Sequence, residues 1–175
     1  MCDTGYTVKA LARDLLDFRQ HGAGEAQLLA EAPDLVKRLM LMKHNWLRAR
    51  MAVPAADPGN GPARFVLHEE PDHTLAIFVV TMGPGESTPP HDHGTWAVIA
   101  GLEGRETNRW WKRATGDAVI ASGEENVDAG TILTVPAGAI HSVHNESGTV
   151  CVTLQVYGTN PEHTPHRNYE TRRPS

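Results

Sequence analysis

The chain has 175 residues, about the length of one domain, and can bury a core without disulfide or metal staples. Its 40% hydrophobic and 21% charged residues are ordinary for a globular protein, and a net charge of −5 argues against a nucleic-acid-binding face. Apolar runs fall short of the roughly 20 residues of a membrane span, the N-terminus lacks a signal-peptide pattern, and Cys2 and Cys151 make no disulfide framework, so a cytoplasmic location is expected.

Residues 7 to about 50 read as helical. Val8, Leu11, Leu15 and Phe18 recur at helical spacing behind Thr7, a candidate N-cap, and His21-Gly22-Ala23-Gly24 ends that helix. A short helix through Gln27, Leu28 and Leu29 is expected to stop at Pro33. Asp34 then caps another, with Leu35, Leu39, Met42 and Trp46 as its buried stripe. Met40, Met42 and Met51 read as core packing.

After the loop 55–62 the pattern changes. Short β-rich runs follow about ten residues apart, at 64–68, 75–82, 95–103, 105–112, 118–121, 131–135, 141–145 and 149–157, punctuated by Gly and Pro turns. That pattern predicts a mainly β sandwich or barrel with the N-terminal helices packed outside it. The whole chain reads as one domain: helices over 1–55, barrel core over 62–158 and a loosely ordered tail over 159–175. Trp110 and Trp111, neighbours in one strand, should face opposite sides.

Ten histidines against three phenylalanines is the unusual count, and histidine is the commonest metal ligand. His91 and His93, two apart on a strand, point to one side and can reach one ion. His141 follows a Pro-Ala-Gly turn that can aim a third imidazole inward. Three neutral imidazoles leave coordination positions open, as a catalytic metal needs.

Gly130, Pro136, Gly138, His141 and Asn145 match the second cupin motif, G-x5-P-x-G-x2-H-x3-N, at every fixed position. Gly85, His91, His93 and Gly104 match the first, G-x5-H-x-H-x3-E-x6-G, except that Ala97 replaces the glutamate most metal cupins use as a fourth ligand. The chain therefore resembles the cupins, with their double-stranded β-helix (a jelly-roll-like barrel). Within them, Gly83-Pro84-Gly85, Thr88 to His93, Trp96 and Gly101 to Gly104 resemble the bacterial thiol dioxygenases acting on cysteine or 3-mercaptopropionate.

The resemblance implies one Fe(II) per chain on His91, His93 and His141, no organic cofactor, and a small carboxylated thiol and O2 as partners, with monomer and homodimer both open. It implies Arg64 as the carboxylate-binding residue, Arg48, Arg50 and Arg167 being the other arginines considered. Trp96 is either a pocket wall or barrel packing. The family's Ser-x-His-x-Tyr series reads Thr153-x-Gln155-x-Tyr157, so glutamine stands beside the active-site tyrosine. Pro62 replaces a tyrosine of the animal enzymes, and neither Ala97 nor Val98 is the cysteine those enzymes cross-link to their active-site tyrosine. A carbon–carbon bond-cleaving three-histidine cupin and a non-oxidative metal cupin remain the alternative readings. His144 should point away from the metal. His68, His73, His163 and His166 read as solvated, Cys151 as a small core residue and Asp92 as a structural hydrogen-bonding group.

Overall fold

The structure, a computed structural model, describes residues 5–52, 61–115, 118–165 and 167–171. Helix α1 (Val8–Gln20) starts where Thr7 Oγ1 accepts the Ala10 N–H at 3.1 Å, and Gly22, at φ 80°, carries the chain out of it. Helix α2 (Glu25–Leu41) runs straight through Pro33, with Asp34 inside it. This corrects the expected break. Leu28, Ala32, Val36 and Leu39 form one buried stripe on both sides of the proline. Burying side chains of that size yields about 1.5–3 kcal/mol each, enough to outweigh roughly 3 kcal/mol for an internal proline. A short α3 (Lys43–Trp46) and a 3-10 turn at Ala49–Ala52 complete the helical part. No helix among the described residues is long and apolar enough to cross a membrane.

Among the described residues eleven strands follow: β1 (Ala63–Glu69), β2 (Ala76–Met82), β3 (His91–Asp92), β4 (Ala97–Glu103), β5 (Arg105–Arg113), β6 (Ala118–Asp128), β7 (Ile132–Val135), β8 (Ile140–His144), β9 (Cys151–Tyr157), β10 (Arg167–Asn168) and β11 (Glu170–Thr171). They form a five-stranded sheet, β1-β2-β9-β4-β7, and a six-stranded sheet, β10-β3-β8-β5-β6-β11. Pairing is antiparallel except for β11 on β6.

Strand alternation sorts the five-stranded sheet into two faces. Ile77, Val79, Val98, Val152, Leu154 and Val156 pack outward against Leu11, Leu15, Val36 and Leu39 of the helices. Ala76, Phe78, Val80, Ala97, Ile99 and Tyr157 turn into the barrel, where Val127, Leu133 and Val135 meet them. Every residue of β2 and β9 is buried, because one face is covered by helices and the other by the second sheet. Side chains at 153, 155 and 157 therefore share the barrel interior.

Two other expectations need correction. Strand β6 extends to Asp128, well past 121, through the exposed polar run 121–126, which pairs with β5 while its side chains reach water. The described part of the tail, 159–165 and 167–171, is also more ordered than its composition suggests. Asn168 and Arg167 pair with His91 and Asp92, and Tyr169 is buried with Val119 and Ile140 on the outer face of the six-stranded sheet. Trp110 packs beside the inner cluster and Trp111 beside this outer one, on opposite sides as alternation requires.

A close backbone approach gives a stability test. A Cβ at Gly101 would stand 2.1 Å from the Asp128 carbonyl oxygen and 2.6 Å from its carbon, so strand β4 or the 128–129 segment would have to move. Gly101→Ala is expected to cost about 2–4 kcal/mol, lowering the melting temperature by roughly 5–15 °C in calorimetry. An unchanged melting temperature would show that the approach is easily relieved.

Candidate metal centre

Two paired strands, β3 and β8, aim the histidines at one point. β3 pairs with β8 so that His91 lies opposite His141, and His93 follows just beyond β3. The turn before His141 is closed by Ala139 N–H on the Pro136 carbonyl at 3.0 Å. It is tied to helix α2 by Ala137 N–H on Glu25 Oε1 at 2.9 Å. The ligand nitrogens of the three rings lie within 4.8 Å of one another, and among the described residues no carboxylate belongs to the group. Ala97 sits inside the barrel opposite Tyr157, where it has no donor to offer a metal.

The ring chemistry fits a divalent cation. His93 Nε2 and His141 Nε2 approach to 2.8 Å, close to the spacing of two nitrogens bound to one ion at ~2.0–2.1 Å. His91 Nδ1 can donate to the Pro89 carbonyl at 2.8 Å, and His141 Nδ1 to Asn108 Oδ1 at 2.8 Å. These bonds leave the Nε2 lone pairs of both rings for a metal. Burial, then the neighbouring His91 and His93, holds His141 well below the usual histidine range. It is therefore neutral, as a ligand must be.

A cavity with ≈ 350 Å³ of empty space, its mouth included, opens over these rings. Val80, Met82, Ile99 and Val143 form its apolar wall, and Gln155, Tyr157 and Arg64 its polar side. Arg64, on edge strand β1, is half exposed and lies 3.7 Å from Glu162 Oε1. It also lines an outer recess with Thr88, His91, Pro161 and Glu162, so it stands where the cavity meets solvent. Arg48 and Arg167 are exposed, and the Arg50 side chain lies outside the described residues. Trp96 is placed elsewhere. It packs in the helix-side cluster against Gly158, where any Cβ would meet its ring at 2.3 Å, and it is not among the residues that line the cavity.

Thr153, Gln155 and Tyr157 are joined along β9. The Tyr157 hydroxyl donates to Gln155 Oε1 at 2.5 Å, and Gln155 Nε2 donates to Thr153 Oγ1 at 3.1 Å. Burial raises the Tyr157 pKa above its ordinary value, against the opposing pull of Arg64, so the hydroxyl keeps its proton. Two further residues went unnoticed in the sequence. Glu106 and Asn108, both fully buried, stand next to one another on the inner face of β5. Asn108 Nδ2 donates to Glu106 Oε1 at 2.9 Å, and Thr153 Oγ1 lies 3.4 Å from Glu106 Oε2. Burial pushes the Glu106 carboxyl up to about 7, while its bonds to Asn108 and Thr153 pull it down. The only signal in the sequence was a pair of polar residues at alternate positions of a strand.

The remaining residues fall outside the centre. Asp92 faces away from the cavity and accepts from the Tyr169 hydroxyl and the Arg167 N–H. His144 also faces away, bonded to Ser142 Oγ at 2.8 Å. His68 bonds Glu70 at 2.7 Å, and Cys151 is buried. His166 lies outside the described residues. His73 and His163 are not simply solvated: they stack at 3.5 Å with 4° between planes, and Glu69 bonds His73 at 2.6 Å. Those parallel rings send their in-plane lone pairs along parallel planes, whereas the barrel rings converge, and no metal site is assigned there.

No protein-family model matches the chain. Among solved structures it is similar to TT1209 from Thermus thermophilus, at 23% identity and TM-score 0.50 over 64% of this chain and 93% of that one. A conserved protein with a double-stranded β-helix domain from Klebsiella pneumoniae aligns at 17% identity, TM-score 0.49, over 69% and 92%. An oxalate oxidase in complex with the substrate analogue glycolate aligns at 18%, TM-score 0.49, over 65% and 59%. The two facing, mainly antiparallel sheets make the jelly-roll-like double-stranded β-helix expected from the sequence. At these identities the likeness is one of fold. The barrel here surrounds its own three-histidine group, built from β3, the residue after it and β8.

Proposed function

We propose that this cupin is an Fe(II)-dependent dioxygenase that converts a small carboxylated thiol and O2 into the sulfinate. The observation that carries the reading is a carboxylate-free group of three histidines whose cavity is lined on its polar side by Arg64, Gln155 and Tyr157. Iron bound by the three imidazoles would supply the open positions and the redox chemistry for sulfur and O2. The reaction balances without a cosubstrate: R–SH and O2 give R–SO2H, sulfur losing the four electrons that O2 gains.

The chain's own residues do the rest. Neutral ligands leave the ion's double positive charge uncompensated, which favours an anionic thiolate. Arg64 holds the substrate carboxylate, in competition with Glu162, and its planar guanidinium can make two parallel hydrogen bonds. Val80, Met82, Ile99 and Val143 keep water from the reacting end. Tyr157, kept neutral, contributes its hydroxyl group to the placement of substrate or oxygen.

An oxygen-electrode screen of the iron-loaded protein tests this. Uptake with carboxylated thiols is expected. Uptake with diketones alone would make it a carbon–carbon bond-cleaving cupin, and zinc content without uptake would make it a non-oxidative one. In the same assay Arg64→Ala should damage turnover of carboxylated thiols far more than that of uncharged thiols. The differential is about thirtyfold, from roughly 2 kcal/mol for a charge-assisted contact. Equal losses on both classes would remove Arg64 from carboxylate binding.

A further inference from the structure

The hydrogen bonds inside the barrel form one chain from the metal group to the tyrosine, and its direction can be worked out. His141 keeps its Nε2 lone pair for the metal only if Nδ1 carries the proton, which it donates to Asn108 Oδ1. That fixes the Asn108 amide with Nδ2 donating to Glu106 Oε1. From the other end, Tyr157 donates to Gln155 Oε1, Gln155 Nε2 donates to Thr153 Oγ1, and the Thr153 hydroxyl is left to donate to Glu106 Oε2. Both halves therefore converge on Glu106, one on each oxygen. The donors from Asn108 and Thr153 favour the ionised form of Glu106 against the effect of burial, and in that form the side chain offers two acceptors and no donor at one place.

We propose that Glu106 is the positioning residue of the centre. Through Asn108 it fixes the ring form of His141 that binds metal, and through Thr153 and Gln155 it directs the Tyr157 hydroxyl proton away from the cavity. The consequence for substrate is that Tyr157 presents an acceptor to a substrate N–H or O–H donor over the metal, and must turn its hydroxyl away from Gln155 before it can donate to oxygen or a thiolate. His141, Asn108, Glu106 and Thr153 are at most 1% exposed, so water does not stand in for a missing partner in that part of the chain. The inference rests on the three-histidine metal site and not on which substrate is oxidised.

Glu106→Gln is the test, because it keeps the shape and replaces one acceptor by a donor. One half of the chain must then reverse. Reversing the tyrosine half turns Thr153, Gln155 and Tyr157 together, whereas reversing the other half needs one flip of the Asn108 amide. That flip presents Nδ2 to His141 Nδ1 and drives the ring proton to Nε2, where it blocks the metal. Zn(II) affinity, read by competition with a chelating dye, should fall about ten- to hundredfold, the usual effect of losing a ligand's hydrogen-bond partner. Ring 15N shifts of His141 in the metal-free protein should report the change of tautomer.

Adding Asn108→Asp to Glu106→Gln should restore both. The new carboxylate accepts from His141 and from the new amide, whose oxygen still accepts from Thr153. Wild-type affinity and tautomer in Glu106→Gln alone would overturn the proposal, and so would failure of the double variant to recover affinity. If the single variant melts too low to titrate, the double variant decides by itself, with recovered affinity supporting the proposal. A wild-type protein that binds no divalent metal would instead sink the metal site itself.

Discussion

Replacing His141 with alanine is expected to abolish stoichiometric metal binding. The ring is fully buried and stacks near Trp110, and its Nε2 stands 2.8 Å from that of His93. Loss of an outer hydrogen-bond partner costs about 10–100-fold in metal affinity, so loss of the ligand itself should exceed the upper end of that range. Stability should fall as well, because Asn108 Oδ1 loses its donor in a dry interior. An unsatisfied buried acceptor costs about 1–3 kcal/mol, which corresponds to roughly 2–12 °C in melting temperature at this chain length. Metal analysis after gel filtration, beside circular dichroism to verify folding, separates the two effects. Full metal occupancy in a folded His141→Ala protein would move the centre elsewhere.

Tyr157→Phe should lower kcat about ten- to hundredfold while leaving iron content unchanged, the size expected for one hydrogen bond made in the transition state. The ring should stay in place. It meets Phe78 edge-on at 5.9 Å and His93 at 5.0 Å, contacts that phenylalanine keeps. What disappears is the hydroxyl bonded to Gln155. A companion change, Gln155→His, places a titratable ring where an amide now stands, and should add an ionisation between about pH 6 and 8 to the kcat profile. A wild-type rate in the phenylalanine variant would make Tyr157 a packing residue. An unchanged pH profile in the histidine variant would uncouple position 155 from the chemistry.

The parts of this molecule that the sequence disclosed are those tied to a local rule. Thr7 caps α1 because a side-chain oxygen ahead of an amphipathic run has few other roles. His91 and His93 lie two apart and His141 follows a tight turn, so their convergence follows from strand alternation plus a motif match. What stayed hidden depends on tertiary burial. Pro33 reads as a helix end until the sheet beneath α2 is known. Trp96 stands near the ligands in sequence and reads equally as a pocket wall or as packing, and its place in the helix-side cluster depends on tertiary structure. The tail looks polar and loose, but Tyr169 and Asp92 fasten it to the strand that carries His91. Glu106 and Asn108 show only as two polar residues at alternate positions of a strand, and a charged residue there is ordinarily assigned to the surface.

The metal group and the substrate pocket differ in the same way. Convergent imidazoles are set by register between β3 and β8. The assignment of Arg64 rests on a half-exposed side chain at the mouth, already paired with Glu162. Whether iron in this barrel oxidises a carboxylated thiol is decided by one turnover experiment with the iron-loaded protein under 18O2, with the product identified by mass spectrometry. The expected product is a sulfinate carrying both labelled oxygen atoms, formed in proportion to the oxygen consumed. A fully iron-loaded protein that leaves every carboxylated thiol unoxidised, or yields only disulfide and unlabelled product, would contradict the proposed reaction.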